Sequence, residues 1–256
     1  VEELSRADGS VGWCAMIAAA MSLNAGRLPA AVGRQLAGTP ADYRAAGSAR
    51  VGGTAKPVEG GFEVTGRWNF ASGFDHARWL YCTCTMPGPD GAPVVNAAGV
   101  PVLRAVWIPR EQVTMVDTWS VMGMRGTGSQ DFTVDAVFVP GERSVLSAAA
   151  PAETGPLFNS RAWFVHLWTP SAANVLGIAR GAIDNLVALA ATEASTLSTQ
   201  LLRDRAAVQA RVGEAEAIVN SARAYVFDAV GRLWDTVTAG DEPTDAQVAQ
   251  GRLALV

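Results

Sequence analysis

An α+β fold with helices and strands in separate blocks is what this sequence predicts, and three observations predict it. Residues 1–46 carry apolar side chains in helix-like groupings around a Gly-Ser break. From about Gly47 to Pro140 the apolar period drops to two. After Pro156 the strands stop, and long stretches step by three or four. With 256 residues, 49% of them hydrophobic, the chain can bury a substantial core. The order of blocks divides it into 1–46, 47–141 and 142–256.

The chain opens at Val1-Glu2-Glu3-Leu4 as if inside a helix. Asp8-Gly9-Ser10 is a break, and Ser10 is expected to N-cap an apolar helix through Trp13, Ile17 and Met21. Pro29 opens a short helix through Leu36, stopped by Gly38-Thr39-Pro40. Strands are expected over 47–57, 62–71, 78–86, 102–109 and 131–139. Gly60-Gly61, Pro87-Gly88-Pro89-Asp90-Gly91 and Pro140-Gly141 punctuate them. Helices are expected over 158–193 and 204–238. In the second, Val208, Val212, Ala215, Val219, Ala222, Val226, Val230 and Leu233 mark the seam of a bundle helix. Pro243-Thr244-Asp245 starts a last helix, still running at Val256.

A net charge of −4 argues against nucleic acid or an anionic membrane surface as a partner. The longest apolar stretch, Trp13 to Leu23, reads as a buried helix, so no membrane span is expected. Charged residues make up only 17% of the chain, which fits a surface partly covered by other subunits. Cys14, Cys82 and Cys84 form no disulfide framework and no zinc spacing. Buried free thiols in a reducing compartment are expected, with the cytoplasm as the location. The sequence starts without methionine and stops in helical sequence, so a fragment of a longer protein is expected.

The segment Gly66 to Trp79 carries the chemistry. Phe62, Val64, Trp68 and Phe70 alternate with Glu63, Thr65, Arg67 and Asn69, a half-buried strand that breaks at Ser72-Gly73. An aromatic wall ending in a small hydroxyl suits a flat, polar-edged cofactor; an ordinary tryptophan-rich hairpin has the same pattern. Downstream, Gly123-x-x-Gly126-x-Gly128 precedes a strand rather than a helix. It therefore lacks the helix N-terminus that a dinucleotide phosphate needs, and reads as a glycine-rich turn.

The stretch from Gly47 to Pro140 resembles the middle domain of the acyl-CoA dehydrogenase superfamily. Its wording Gly66-x-Trp68-x-Phe70-x-Ser72-Gly73-x-Asp75-His76-Ala77-x-Trp79 is closer to the two-component, reduced-flavin-using monooxygenases than to the dehydrogenases. A second block, Trp119 to Ser129 followed by Asp131 to Pro140, sits at the family's spacing. The resemblance implies N-terminal helices, a central β-barrel and a C-terminal antiparallel helical bundle, assembled as a homotetramer. It implies that Ser72 sits beside the isoalloxazine edge, that Phe70 and Ala71 line the ring, and that Ser48 lines the same cavity. Ser48 also fits a turn-capping serine. Arg125 and Thr127 are brought either to that cavity or into a purely structural turn.

Of the two histidines, His76 fits a structural part of the hairpin. His166 falls near the position where some acyl-CoA dehydrogenases carry their catalytic glutamate, and is the candidate general base. No Asp or Glu occurs from Arg161 to Asn174, which weakens a dehydrogenase reading. Family members also draw a base from a C-terminal region beyond this sequence. The arginine and phenylalanine-glycine pair that anchor FAD pyrophosphate in dehydrogenases are replaced by Ser198, Leu201 and Leu202. The resemblance thus implies a monooxygenase hydroxylating an aromatic or polycyclic substrate with dioxygen and reduced FMN or FAD from a separate flavin reductase. The alternative is an FAD-holding acyl-CoA dehydrogenase served by an electron carrier. A third reading is a catalytically silent scaffold.

Overall fold

The computed structural model describes residues 1–37, 44–196 and 198–255, so the Gly38-Thr39-Pro40 stop and Val256 lie outside the described residues. Two compact units are present. One is Ile17–Ser160; the other joins Val1–Met16 to Arg161–Val256, and the boundary falls within one helix.

The Ile17–Ser160 unit contains most of helix α2 (Gly9–Ala25), helix α3 (Ala30–Ala37) and all the strands. These are β1 (Ala45–Val58), β2 (Gly61–Ala71), β3 (Trp79–Thr85), β4 (Leu103–Pro109), β5 (Thr114–Val116), β6 (Gln130–Pro140) and β7 (Ser144–Leu146). They form one mixed sheet in the order β5-β6-β2-β1-β3-β4-β7, parallel only between β1 and β3. Among the described residues β5 and β7 are its edges, so hydrogen bonding makes an open sheet and not a closed barrel. Both edge strands escaped sequence reading because three residues are too few to establish a period of two.

The sheet core is built on Trp68, 1% exposed. Its ring stacks on Phe132 at 5.5 Å, and its Nε1 donates to the Thr83 carbonyl at 2.9 Å. Glycines on the neighbouring strand β1 and on β2 itself make room for that indole. A Cβ on Gly53 would lie 2.6 Å from the Trp68 ring, and one on Gly66 would lie 2.4 Å from the Gly53 Cα. Val64, Leu80, Val106 and Ile108 complete the apolar face, with Cys82 and Cys84 buried beside them.

The helical unit comprises α1 (Glu2–Ala7), α4 (Trp163–Thr192), α5 (Ala206–Thr238) and α6 (Asp245–Leu253). The expected start of α4 at 158 moves to Trp163, because Pro156–Phe158 forms a separate 3-10 turn. Helix α1 lies directly on α4, where Gly177 and Gly181 leave space: a Cβ on Gly177 would meet the Glu2 carbonyl at 2.2 Å. The α5 seam is half-buried at Val208, Val212, Ala215 and Val219 and buried at Val226 and Leu233, while Ala222 is exposed. Thr244 and Gln247 close a capping box at the start of α6.

Two expectations need correction. Ser10 does not cap α2; Asp8 does, its carboxylate accepting from the Ser10 and Val11 amides at 2.8 and 3.0 Å. A carboxylate accepts two orphan amides at once and complements the helix dipole. The expectation of no membrane-length segment also fails as a statement of length: α4 is long and apolar enough to cross a membrane. Within its unit, however, α4 packs against α1 and α5, and its Arg180 donates two bonds of 2.7 Å to Glu216.

Candidate functional site

The site begins with an irregularity at the end of β2. Trp68 pairs with Phe132 and Ala71 with Gln130, so β2 holds one extra residue over that interval. Such a bulge reverses the facing of the residues beyond it. Phe70, expected to continue the buried alternation, is instead 51% exposed, while Ala71 is fully buried. Phe70 also has φ of 60°, a left-handed conformation that an L side chain rarely adopts. Its ring meets Trp119 edge-on, centroids 6.2 Å apart, and the Arg50 guanidinium lies 5.5 Å from its centroid. Three elements thus converge on one exposed aromatic face: β1, the end of β2 and the loop after β5.

Behind that face lies a buried chain of hydroxyls. Ser72, 5% exposed, contacts Ser129 (3%) at 2.7 Å between their Oγ atoms, and Ser129 contacts Thr127 (2%) at 2.6 Å. Thr127 Oγ1 donates to the Met124 carbonyl at 2.9 Å. The backbone locks the two segments together, the Gly73 amide donating to the Thr127 carbonyl at 2.8 Å. The glycine-rich turn is a 3-10 turn, Arg125–Thr127, flanked by left-handed Met124 and Gly128. Gly128 has φ of 48°, and there a Cβ would lie 3.2 Å from the Asp75 carboxylate. The Trp119 indole N–H also donates to the Met124 carbonyl, at 3.1 Å.

The structure therefore brings Phe70, Ala71, Ser72 and Thr127 together. Ser48, 5% exposed, lies where β1 bulges away from β3. Its Oγ accepts from the Arg50 amide at 3.2 Å, the turn-capping contact that the sequence allowed. Arg125 is on the same turn as Thr127 but is exposed. His76 is exposed in the 3-10 turn Phe74–His76. His166 belongs to the other unit, buried on α4 with its ring 5.8 Å from that of Trp234. A separate depression of about 380 Å³, lined by Arg78, Trp79, Arg110 and Glu111 among others, contains none of the predicted site residues.

Arg50, Trp119 and Ser129 are the residues that sequence reading did not assign to the site. Trp119 and Ser129 stand at the two ends of the second motif block, but their partners are 49 and 57 positions away. Nothing in periodicity signals pairing at that range.

Comparison with known proteins gives a consistent placement. Residues 170–256 match the model of the acyl-CoA dehydrogenase C-terminal domain family. The chain is 32% identical over 241 residues to an indole-3-acetate monooxygenase of Pseudomonas putida, covering 94% of this chain and 59% of that protein. It is 28% identical over 251 residues to HsaA of Rhodococcus jostii RHA1, a flavin-dependent monooxygenase oxygenase subunit, covering 94% and 63%. XiaF from Streptomyces sp., solved in complex with FADH2 and glycerol, shares the fold at a TM-score of 0.85 and 24% identity, covering 98% and 63%. The chain spans about three fifths of the length of these curated relatives.

Proposed function

We propose that the complete protein is a member of the acyl-CoA dehydrogenase superfamily and the oxygenase component of a two-component flavin-dependent monooxygenase, a reading supported by the match of residues 170–256 to that superfamily's C-terminal domain and by the 32% identity to an indole-3-acetate monooxygenase. Its reaction is hydroxylation of an aromatic or polycyclic substrate by dioxygen. The observation that carries this reading is the exposed Phe70 ring, held in a left-handed backbone immediately before the buried hydroxyl of Ser72. Strain of that kind persists where the surroundings impose it, and it concentrates at binding sites.

The residues present fit a reduced FMN or FAD. Phe70 offers a flat apolar face, Ala71 brings backbone close to it, and Ser72 places a hydroxyl at its end. On the family resemblance we also assign to the flavin site Ser48, at the β1 bulge, and Arg125 and Thr127, on the glycine-rich turn. When bound, the reduced flavin supplies the electrons that activate dioxygen. With flavin bound, Phe70 and Trp119 would cover part of that region from water. His166, buried on α4 of the helical unit, stays the candidate general base that the family resemblance implies.

The names of the relatives support the parts that this chain alone does not decide. HsaA is an oxygenase subunit, which supports a separate flavin reductase as partner. XiaF was solved with FADH2, which supports reduced flavin as the cofactor. Exposed apolar residues on α4 and α5, among them Val175, Leu189, Ile218 and Phe227, support a homotetramer. We place the protein in the cytoplasm, and expect a subunit of N-terminal helices, a central sheet domain and a C-terminal helical bundle, divided near 46 and 141.

The test uses the full-length protein, loaded anaerobically with reduced FMN or FAD and mixed with oxygenated buffer containing phenolic or indolic compounds. Hydroxylated product formed in proportion to flavin oxidised is the expected result. Retention of FAD through purification, with bleaching by an acyl-CoA thioester and no hydroxylation, establishes the dehydrogenase alternative instead.

A further inference from the structure

At the end of the sheet where β3 begins and β4 stops, Trp79 pairs directly with Pro109, and the Arg110 amide donates to the Arg78 carbonyl at 2.9 Å. Beside them opens the depression of about 380 Å³, a volume within the roughly 300–1,000 Å³ of small-molecule sites. The Arg110 side chain forms one of its walls. Its guanidinium lies over the Phe74 ring, 4.0 Å from the centroid, and that ring is fully buried and stacked on Phe132. Stacking holds the guanidinium plane in one orientation. Among the described residues, however, its side-chain N–H groups make no hydrogen bond and no ion pair. A half-buried fork of donors, fixed in direction and unused by the rest of the chain, is a receptor for an oxyanion.

We propose that this depression binds a small aromatic carboxylate, with its anion on Arg110 and its ring against Trp79, Pro109 and Leu36. Three features choose that class. Trp79, Pro109 and Leu36 supply apolar lining for a flat ring. Arg78, Arg110 and Glu111 are the charged residues among the described lining, two positive against one negative, so the excess matches a single negative charge. Glu111 follows Arg110 in the chain and is exposed at the rim, where it opposes the second charge of a phosphate ester. Carboxylate is thereby favoured over phosphate. Phe70, Ser72 and Trp119 are not part of this lining, so the site is separate from the one assigned to flavin and stands without that reading.

The experiment titrates the full-length protein by calorimetry, without added flavin, using naphthoate, its neutral counterpart naphthol, and naphthyl phosphate. Wild type is expected to bind naphthoate about tenfold or more tighter than naphthol, the scale of one charged hydrogen bond. Arg110→Gln is expected to remove that preference. Arg110→Lys keeps the cation but loses the planar fork, so it retains only part of the preference and guards against misfolding of the first variant. No binding of naphthoate, equal affinity for acid and alcohol, or a full preference in either variant overturns the proposal. Tighter binding of naphthyl phosphate makes the ligand a phosphate ester and overturns the carboxylate assignment. Displacement of naphthoate by FMN puts it in the flavin site instead, and overturns the proposal as well.

Discussion

Phe70 stands edge-on to Trp119, 6.2 Å between ring centroids, and does so from a backbone with φ of 60°. A left-handed conformation costs an L residue about 1–2 kcal/mol, and no burial of the ring offsets it, since Phe70 is half exposed. Stability and binding are therefore opposed at this position. Phe70→Gly should leave the unfolding free energy within about 1 kcal/mol of wild type and weaken reduced-flavin binding. Urea titration and flavin binding check the pair. A variant that loses several kcal/mol while still binding flavin would show that the ring serves packing.

Trp68 presents the opposite case. Its indole fills the space left by Gly53 and Gly66 and donates to the Thr83 carbonyl. Trp68→Ala should cost about 3–5 kcal/mol. Gly66→Ala should cost about 1–3 kcal/mol or more, because the new Cβ would fall 2.4 Å from the Gly53 Cα and force the two strands apart. Denaturant unfolding measures both; a neutral Gly66→Ala would mean that β1 and β2 separate easily.

The thiols offer a chemical test of the sheet core. Burial pushes the Cys84 thiol up to about 12 and Cys82 well above its ordinary value. At pH 8 the Cys84 thiolate is then about one part in ten thousand, and only thiolate reacts. Cys14 is raised as well, by burial and then by Asp8, but is less enclosed. A thiol reagent added to folded protein should modify Cys14 slowly and the other two only after denaturant. Rapid labelling of Cys82 or Cys84 in buffer would contradict the packing described.

Acid should loosen the helical unit through one cluster. Two hydrogen bonds from Arg180 hold the Glu216 carboxyl below its usual range. Desolvation pushes Asp184 up, but bonds from Arg6 and Arg180 outweigh it and leave Asp184 lowered too. A depressed folded-state value contributes stability that is present above the unfolded carboxylate value, near 4, and lost as pH falls through the folded one. Glu216→Gln should melt below wild type at pH 7, with the gap closing as pH falls below the usual carboxylate range. The groups are partly exposed to solvent, which screens them, so the gap is small. A gap constant with pH would assign it to something other than charge.

Much of the fold was legible from local pattern. Five strands and both long helices lie within a few residues of where periodicity places them, because alternation and three-four spacing report which face is buried. The cap at Asp8 was misread for Ser10, since both are good caps and only geometry chooses between them. β5 and β7 were invisible because their existence depends on the partners β6 and β4.

Short-range chemistry accounts for the order of blocks, the core around Trp68 and the residue types at 70, 72 and 127 that we propose meet a flavin edge. There a residue and its neighbours carry the whole signal, so the chain can be read one stretch at a time. Long-range pairing alone turns Phe70 outward, brings Trp119 and Arg50 to it, and joins Ser72, Ser129 and Thr127 into one chain of hydroxyl contacts. The reason is physical: a single extra residue in a paired strand reverses every side chain beyond it. Whether that residue is accommodated depends on a partner strand some sixty positions away.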